Sequence, residues 1–99
     1  MMIREQWKVE ANYRDHCTGV MVEHLAALRA KAGLTQEELS SLVGISRQTY
    51  YAYENKKRVL PWNTYLSLLL FFDTNVNTHS MLRDVGAYPM ELMRRVERN

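Results

Sequence analysis

The sequence has little of what breaks helices and almost nothing that could staple a small domain: its 99 residues include two prolines, four glycines and one cysteine, Cys17. A single cysteine excludes an intrachain disulfide framework, and with it the small secreted domains that fold around such bridges. No apolar run approaches the roughly 20 residues that cross a bilayer. The opening "MMIREQWKVEANYRDH" lacks the apolar stretch of a secretory signal, so a cytoplasmic location is expected. Net charge is scarce too, at +2, too small to announce a polyanionic partner by its total. There is no glycine-rich phosphate loop, no nucleophile-elbow sequence and no suggestive carboxylate pair, since Glu37 and Glu38 are adjacent and point apart on a helix. Neither an enzyme nor a cofactor is expected. His16, Cys17 and His24 lack a fourth ligand and the paired spacing of structural zinc sites, so no metal is expected either.

The distribution of charge says more than its total. Residues 45–58 read "ISRQTYYAYENKKR" and carry Arg47, Lys56, Lys57 and Arg58 against Glu54 alone, a local +3, while every other segment lies within one unit of neutrality. Three tyrosines are interleaved with those cations.

Apolar residues recur mostly at three- and four-residue steps, which predicts an all-α fold, and at this length one compact unit suffices. A first helix is expected from about Thr18 to Ala32, with Met21, Leu25, Leu28 and Ala32 on one stripe and Gly33 as its stop. Thr35 with Glu38 has the form of a capping box opening a short helix over Gln36–Val43, ended by Gly44. Ser46 then caps a helix over Arg47–Asn55. Helix, tight glycine turn, helix is the sequence form of a helix-turn-helix. Pro61 suits a first helical turn, with a fourth helix through Phe72. Asn77 or Thr78 is expected to cap a fifth over Ser80–Val85, and Pro89 opens a last amphipathic turn or two. The first sixteen residues read either way: Ile3, Trp7 and Ala11 step as a helix, whereas Trp7, Val9, Ala11 and Tyr13 alternate as a strand. The helix is the favoured reading.

The stretch "LRAKAGLTQEELSSLVGISRQTYYAYENKKR" resembles the phage-repressor/Cro-type helix-turn-helix, also called the xenobiotic-response-element type, across about residues 20–75. The resemblance implies a compact five- to six-helix bundle of the lambda-repressor-like DNA-binding type. It divides the chain into an N-terminal extension (1–17), a helix-turn-helix DNA-binding domain (18–75) and a C-terminal helical extension (76–99) that dimerises or covers the core. It further implies that Arg47, Gln48 and Tyr51 face DNA bases, and that Gln36 faces the DNA backbone. Ser46, Asn55, Lys56, Lys57 and Arg58 are assigned to phosphates, and Arg29 to an ion pair with Glu54. Spacing agrees with the reading face: Arg47, Gln48 and Tyr51 share a side of the third helix near its N-terminus. Arg can pair bidentately with guanine and Gln with adenine. Tyr50 and Tyr53, where relatives carry aliphatic residues, are expected in the core. Ala52 is shorter than the polar residue many relatives have there, which either hands base contact at that register to Tyr51 or leaves it unread. Lys56 replaces a common glycine, leaving Asn55 as the residue suited to a left-handed stop.

The fourth helix, "WNTYLSLLLFF", is apolar nearly all round, so more than one of its sides needs cover. Trp62, Tyr65, Leu66, Leu69 and Phe72 are assigned to the domain core. Leu68, Leu70 and Phe71 then require the N-terminal segment, the C-terminal turns or another subunit. The expected function is a sequence-specific DNA-binding transcriptional regulator, a repressor, from a bacterium or its phage or plasmid. It would act as a homodimer on a palindromic operator in double-stranded DNA. The alternative is a protein-interaction module of the antitoxin or anti-regulator type that grips a partner with the apolar fourth helix and the tails.

Overall fold

A computed structural model describes residues 2–99, and within them all regular structure is helical. A 3-10 turn over Glu5–Trp7 precedes six α-helices: α1 (Ala11–Ala32), α2 (Gln36–Val43), α3 (Arg47–Glu54), α4 (Trp62–Thr74), α5 (His79–Asp84) and α6 (Met90–Arg98). α1 packs on α3 and α4, α2 on α3 and α4, and α4 on α5. The elements are those the sequence predicts, with differences at several ends.

Helix ends follow local chemistry. Thr35 accepts the Glu38 amide at 3.1 Å, and the Glu38 carboxylate accepts the Thr35 amide at 2.9 Å, completing the capping box of α2. Gly33, Gly44 and Gly86 close α1, α2 and the turn after α5 with φ of 78°, 79° and 79°, a left-handed conformation that glycine reaches without the Cβ penalty.

α1 starts at Ala11, well before the expected Thr18. Cys17, Met21, Leu25 and Leu28 form its buried stripe, and half-buried Tyr13 continues that stripe one turn toward the N-terminus. The ambiguous opening is neither a long helix nor a strand, but the single turn Glu5–Trp7 followed by extended residues leading into α1.

In α4 the inward stripe is Tyr65, Leu68, Leu69 and Phe72, spaced i, i+3, i+4, i+7 as one helical face requires. Each such fully buried side chain contributes roughly 1.5–3 kcal/mol relative to exposure. Leu68 is therefore a core residue, whereas Leu66, expected inside, is 37% exposed. Pro61 occupies the N-cap rather than the first turn. Thr78 does not cap α5 with its side chain: it is fully buried and donates to the Phe72 carbonyl at 2.8 Å, tying α5 to the end of α4. Arg83 closes the same corner, bonding Asp73 at 2.7 Å while its guanidinium lies 4.0 Å from the centroid of the Tyr88 ring.

The C-terminal elements close over the core of their own chain. Leu82, Ala87 and Leu92 are buried. The Tyr65 hydroxyl donates to the Ala87 carbonyl at 3.0 Å, and the Leu92 amide donates to the Tyr13 hydroxyl at 3.3 Å. Arg95 donates to the carbonyls of Gln6 and Lys8, joining α6 to the N-terminal segment.

Candidate nucleic-acid interface

α2 and α3 are linked by Gly44–Ser46, and the side chain of Ser46 sets the start of α3 by accepting the Thr49 amide at 3.1 Å. Its hydroxyl also donates to Thr49 Oγ1 at 2.9 Å. Ser46, assigned to phosphate from the sequence, is thus engaged in capping, and its one proton is already used. Thr49 is the partner that sequence reasoning missed, although its three-residue spacing from the cap was the available signal.

The first turns of α3 leave Arg47 and Gln48 exposed, and Tyr51 is 45% exposed on the following turn. Tyr50 and Tyr53 are buried against α1, so one tyrosine of the three faces outward. The outward face therefore combines a guanidinium fork, an amide and an aromatic ring, which can meet guanine, adenine and apolar base edges respectively.

The end of α3 departs from the expected geometry. Asn55 is the C-cap at φ −96°, and its side-chain amide donates back to the Tyr51 carbonyl at 2.9 Å. The left-handed residue is Lys56, at φ 61°. The reason is positional: the Lys56 amide bonds the Tyr53 carbonyl at 3.1 Å and the Lys57 amide bonds the Ala52 carbonyl at 2.8 Å. That pair of bonds places the left-handed conformation on the residue after the cap, whatever its side chain. Lys57 Nζ then lies 5.5 Å from the centroid of the Tyr51 ring, and the Arg58 guanidinium 5.9 Å from that of Tyr53, distances within the range of cation–π attraction. Lys56, Lys57 and Arg58 are all exposed.

Behind this surface lies a polar lock between α1 and α3. Arg29 Nε and Nη2 grip the two Glu54 oxygens at 3.1 and 2.9 Å, and Nη1 donates to the Leu34 carbonyl at 3.0 Å. Gln36, at the start of α2, donates to Glu54 at 3.4 Å, so its amide is drawn toward the lock. The Glu54 side chain is 8% exposed. Burial alone would raise its carboxyl, but the hydrogen bonds and charge of Arg29 outweigh it and hold the pKa below the ordinary glutamate value, while Arg29 is raised in turn. The Tyr50 hydroxyl is buried beside the pair without a hydrogen-bond partner, and burial pushes its pKa up.

The consequence is electrostatic. Glu54 is the one acid among residues 44–58, and it is turned inward and paired with Arg29, so the segment's own acid does not face outward beside its cations.

A family model described as helix-turn-helix matches residues 25–69, spanning the end of α1 through most of α4. Neither curated proteins nor solved structures gave a match to the chain. Residues 25–69 thus carry a helix-turn-helix similar to that of the phage-repressor/Cro-type family of DNA-binding transcription regulators, as the sequence resemblance implies.

Proposed function

We propose that the protein is a sequence-specific repressor that inserts α3 into the major groove of double-stranded DNA, in the cytoplasm of a bacterium. Arg47 and Gln48 read base edges, with Tyr51 packing beside them. Lys56, Lys57 and Arg58 hold phosphates, with Gln36 and Asn55 alongside, and such contacts fix register without reading sequence; Ser46 acts by capping α3 rather than by donating to a phosphate. A homodimer places two copies of α3 on the half-sites of a palindromic operator, about one helical turn apart, and excludes polymerase by occupancy. The observation that carries this reading is the exposed set Arg47, Gln48 and Tyr51 beside the exposed basic loop Lys56–Arg58, with Glu54 locked to Arg29.

The test is a fluorescence-anisotropy titration against random duplexes at several salt concentrations, with sequencing of the bound fraction. Enrichment of a palindrome, with affinity falling steeply in salt, is the expected result. The double substitution Arg47→Ala/Gln48→Ala abolishes the enrichment. Unchanged DNA binding in that variant, or none in the folded wild type, transfers the assignment to the protein-interaction class.

A further inference from the structure

The second turn of α3 carries Tyr51, Ala52, Tyr53 and Glu54. Tyr53 is buried, Glu54 is turned in to Arg29 and Ala52 ends at a methyl, so Tyr51 is the one long side chain that this turn presents outward. A ring so exposed has several rotamers open to it. The hydrogen bond made at this residue, from the Asn55 side-chain amide to the Tyr51 carbonyl, fixes the backbone and not the ring. What lies over the ring is Lys57, its Nζ 5.5 Å from the centroid. The left-handed turn at Lys56 and the bond from the Lys57 amide to the Ala52 carbonyl fold the chain back and bring the ammonium there. Lys56 beside it meets no ring among the described residues.

We propose that Lys57 is a specificity-determining positioning residue, whose ammonium holds the Tyr51 ring in the orientation that α3 offers to a base edge. The inference rests on the reading of DNA by α3 proposed above, and it gives Lys57 a part different from that of Lys56. With the cation over one ring face, that face is closed to a base, and the ring meets the groove in one orientation rather than several. Ordering the ring before DNA arrives removes part of the side-chain entropy that binding otherwise costs. It does so at the base pairs that Tyr51 reaches and nowhere else, so its loss lowers preference there. Losing a phosphate contact weakens all sequences alike, and that difference separates the two lysines. Attraction between a cation and a ring at an exposed site amounts to roughly a two- to fivefold bias among ring orientations.

Selection from random duplexes by the full chain, read as the preference at each base pair, tests this. Tyr51→Ala identifies the pairs that Tyr51 reads by flattening the preference there. Lys57→Met, which keeps the length and loses the charge, is expected to lower the preference at those same pairs by roughly two- to fivefold and to leave the pairs read by Arg47 and Gln48 as they are. Lys57→Arg, which keeps a cation over the ring, should retain the wild-type profile, and Lys56→Met should weaken binding to all sequences alike. A profile unchanged in Lys57→Met or in Tyr51→Ala, or altered equally by Lys56→Met, overturns the positioning role. A Lys57→Met effect that persists in the Tyr51→Ala background overturns it too. Proton NMR of the free protein gives a readout that needs no DNA: the Lys57 side-chain methylenes should lie upfield, shifted by the Tyr51 ring, and return to ordinary positions in Tyr51→Leu. Unshifted methylenes overturn the contact itself. A wild type that selects no sequence while those methylenes are shifted refutes the reading of DNA by α3, and the role of Lys57 falls with it.

Discussion

Replacing Lys56 with glycine should make the protein more stable and a weaker DNA binder at once. Lys56 is the only non-glycine residue at positive φ among the described residues, at 61°. A residue with a Cβ held in the left-handed region is destabilised by about 1–2 kcal/mol. Glycine removes that strain but brings about 0.5–1 kcal/mol of additional unfolded-state entropy. The difference favours Lys56→Gly by about 0.5–1 kcal/mol, which for a domain of this size raises Tm by about 2–8 °C. Both backbone bonds that close α3, from Lys56 to Tyr53 and from Lys57 to Ala52, are kept, so nothing offsets the gain. Lys56→Ala is the control, because it loses the ammonium but keeps the strain, and its Tm should stay near that of the wild type. Against DNA the two variants should behave alike, each shedding one phosphate contact and lowering the salt slope by about 0.9. Thermal melts followed by circular dichroism decide the first half and anisotropy titrations the second. A glycine variant no more stable than the alanine variant refutes the strain argument, and an unchanged salt slope removes Lys56 from the DNA surface.

Glu54→Gln should cost about 2–4 kcal/mol in urea unfolding at neutral pH, since it strands a mostly buried Arg29 that is only about one-fifth exposed. Because the folded Glu54 pKa lies below the ordinary value of 4.5, its stabilisation is fully present above that value and is lost as pH falls through the folded pKa; the variant should show a flatter acid limb, and a parallel one contradicts the assignment. Gly19 is exposed in the middle of α1, and an added Cβ there meets nothing within 4 Å. Gly19→Ala should therefore stabilise by about 0.5–1 kcal/mol, and a lower Tm would reveal a contact at that spot. Tyr50→Phe removes a buried hydroxyl with no partner and should be neutral or stabilising by about 1 kcal/mol; a loss of that size instead means the hydroxyl is hydrogen-bonded to the Arg29–Glu54 pair.

What could be read from the sequence was whatever local chemistry decides. The stops at Gly33 and Gly44, the Thr35–Glu38 box and the Ser46 cap each depend on residues within a turn of one another. The inward placement of Tyr50 and Tyr53 and the outward placement of Tyr51 follow from three-residue spacing on a short helix. In α4 the sequence places Tyr65, Leu69 and Phe72 inward, as found, but misassigns Leu66 and Leu68, because a run that is apolar nearly all round carries little periodic signal. Its inward face is fixed by neighbours remote in sequence, among them the buried Leu82 and Ala87, the latter bonded to Tyr65. α1 lost its first turns to a similar ambiguity, since the alternation through Trp7, Val9, Ala11 and Tyr13 imitates a strand until Tyr13 is seen to receive the Leu92 amide. At the candidate interface, Lys56 rather than Asn55 took the left-handed turn because hydrogen bonding at the helix end outranks side-chain preference.

The ties between the chain's two ends give the molecule an order of assembly. The bonds from Leu92 to Tyr13 and from Arg95 to Gln6 span 79 and 89 residues, so they form only once the intervening helices have condensed and brought the termini together. α6 contributes a single buried side chain, Leu92, and its opening exposes little compared with unfolding the rest. It is the last segment to dock and the first to release, a low-energy flap on the five-helix body formed by α1 to α5. Amide protons of α6 should accordingly exchange through local opening, well ahead of those in α1 and α4, while the surface formed by α2 and α3 remains intact.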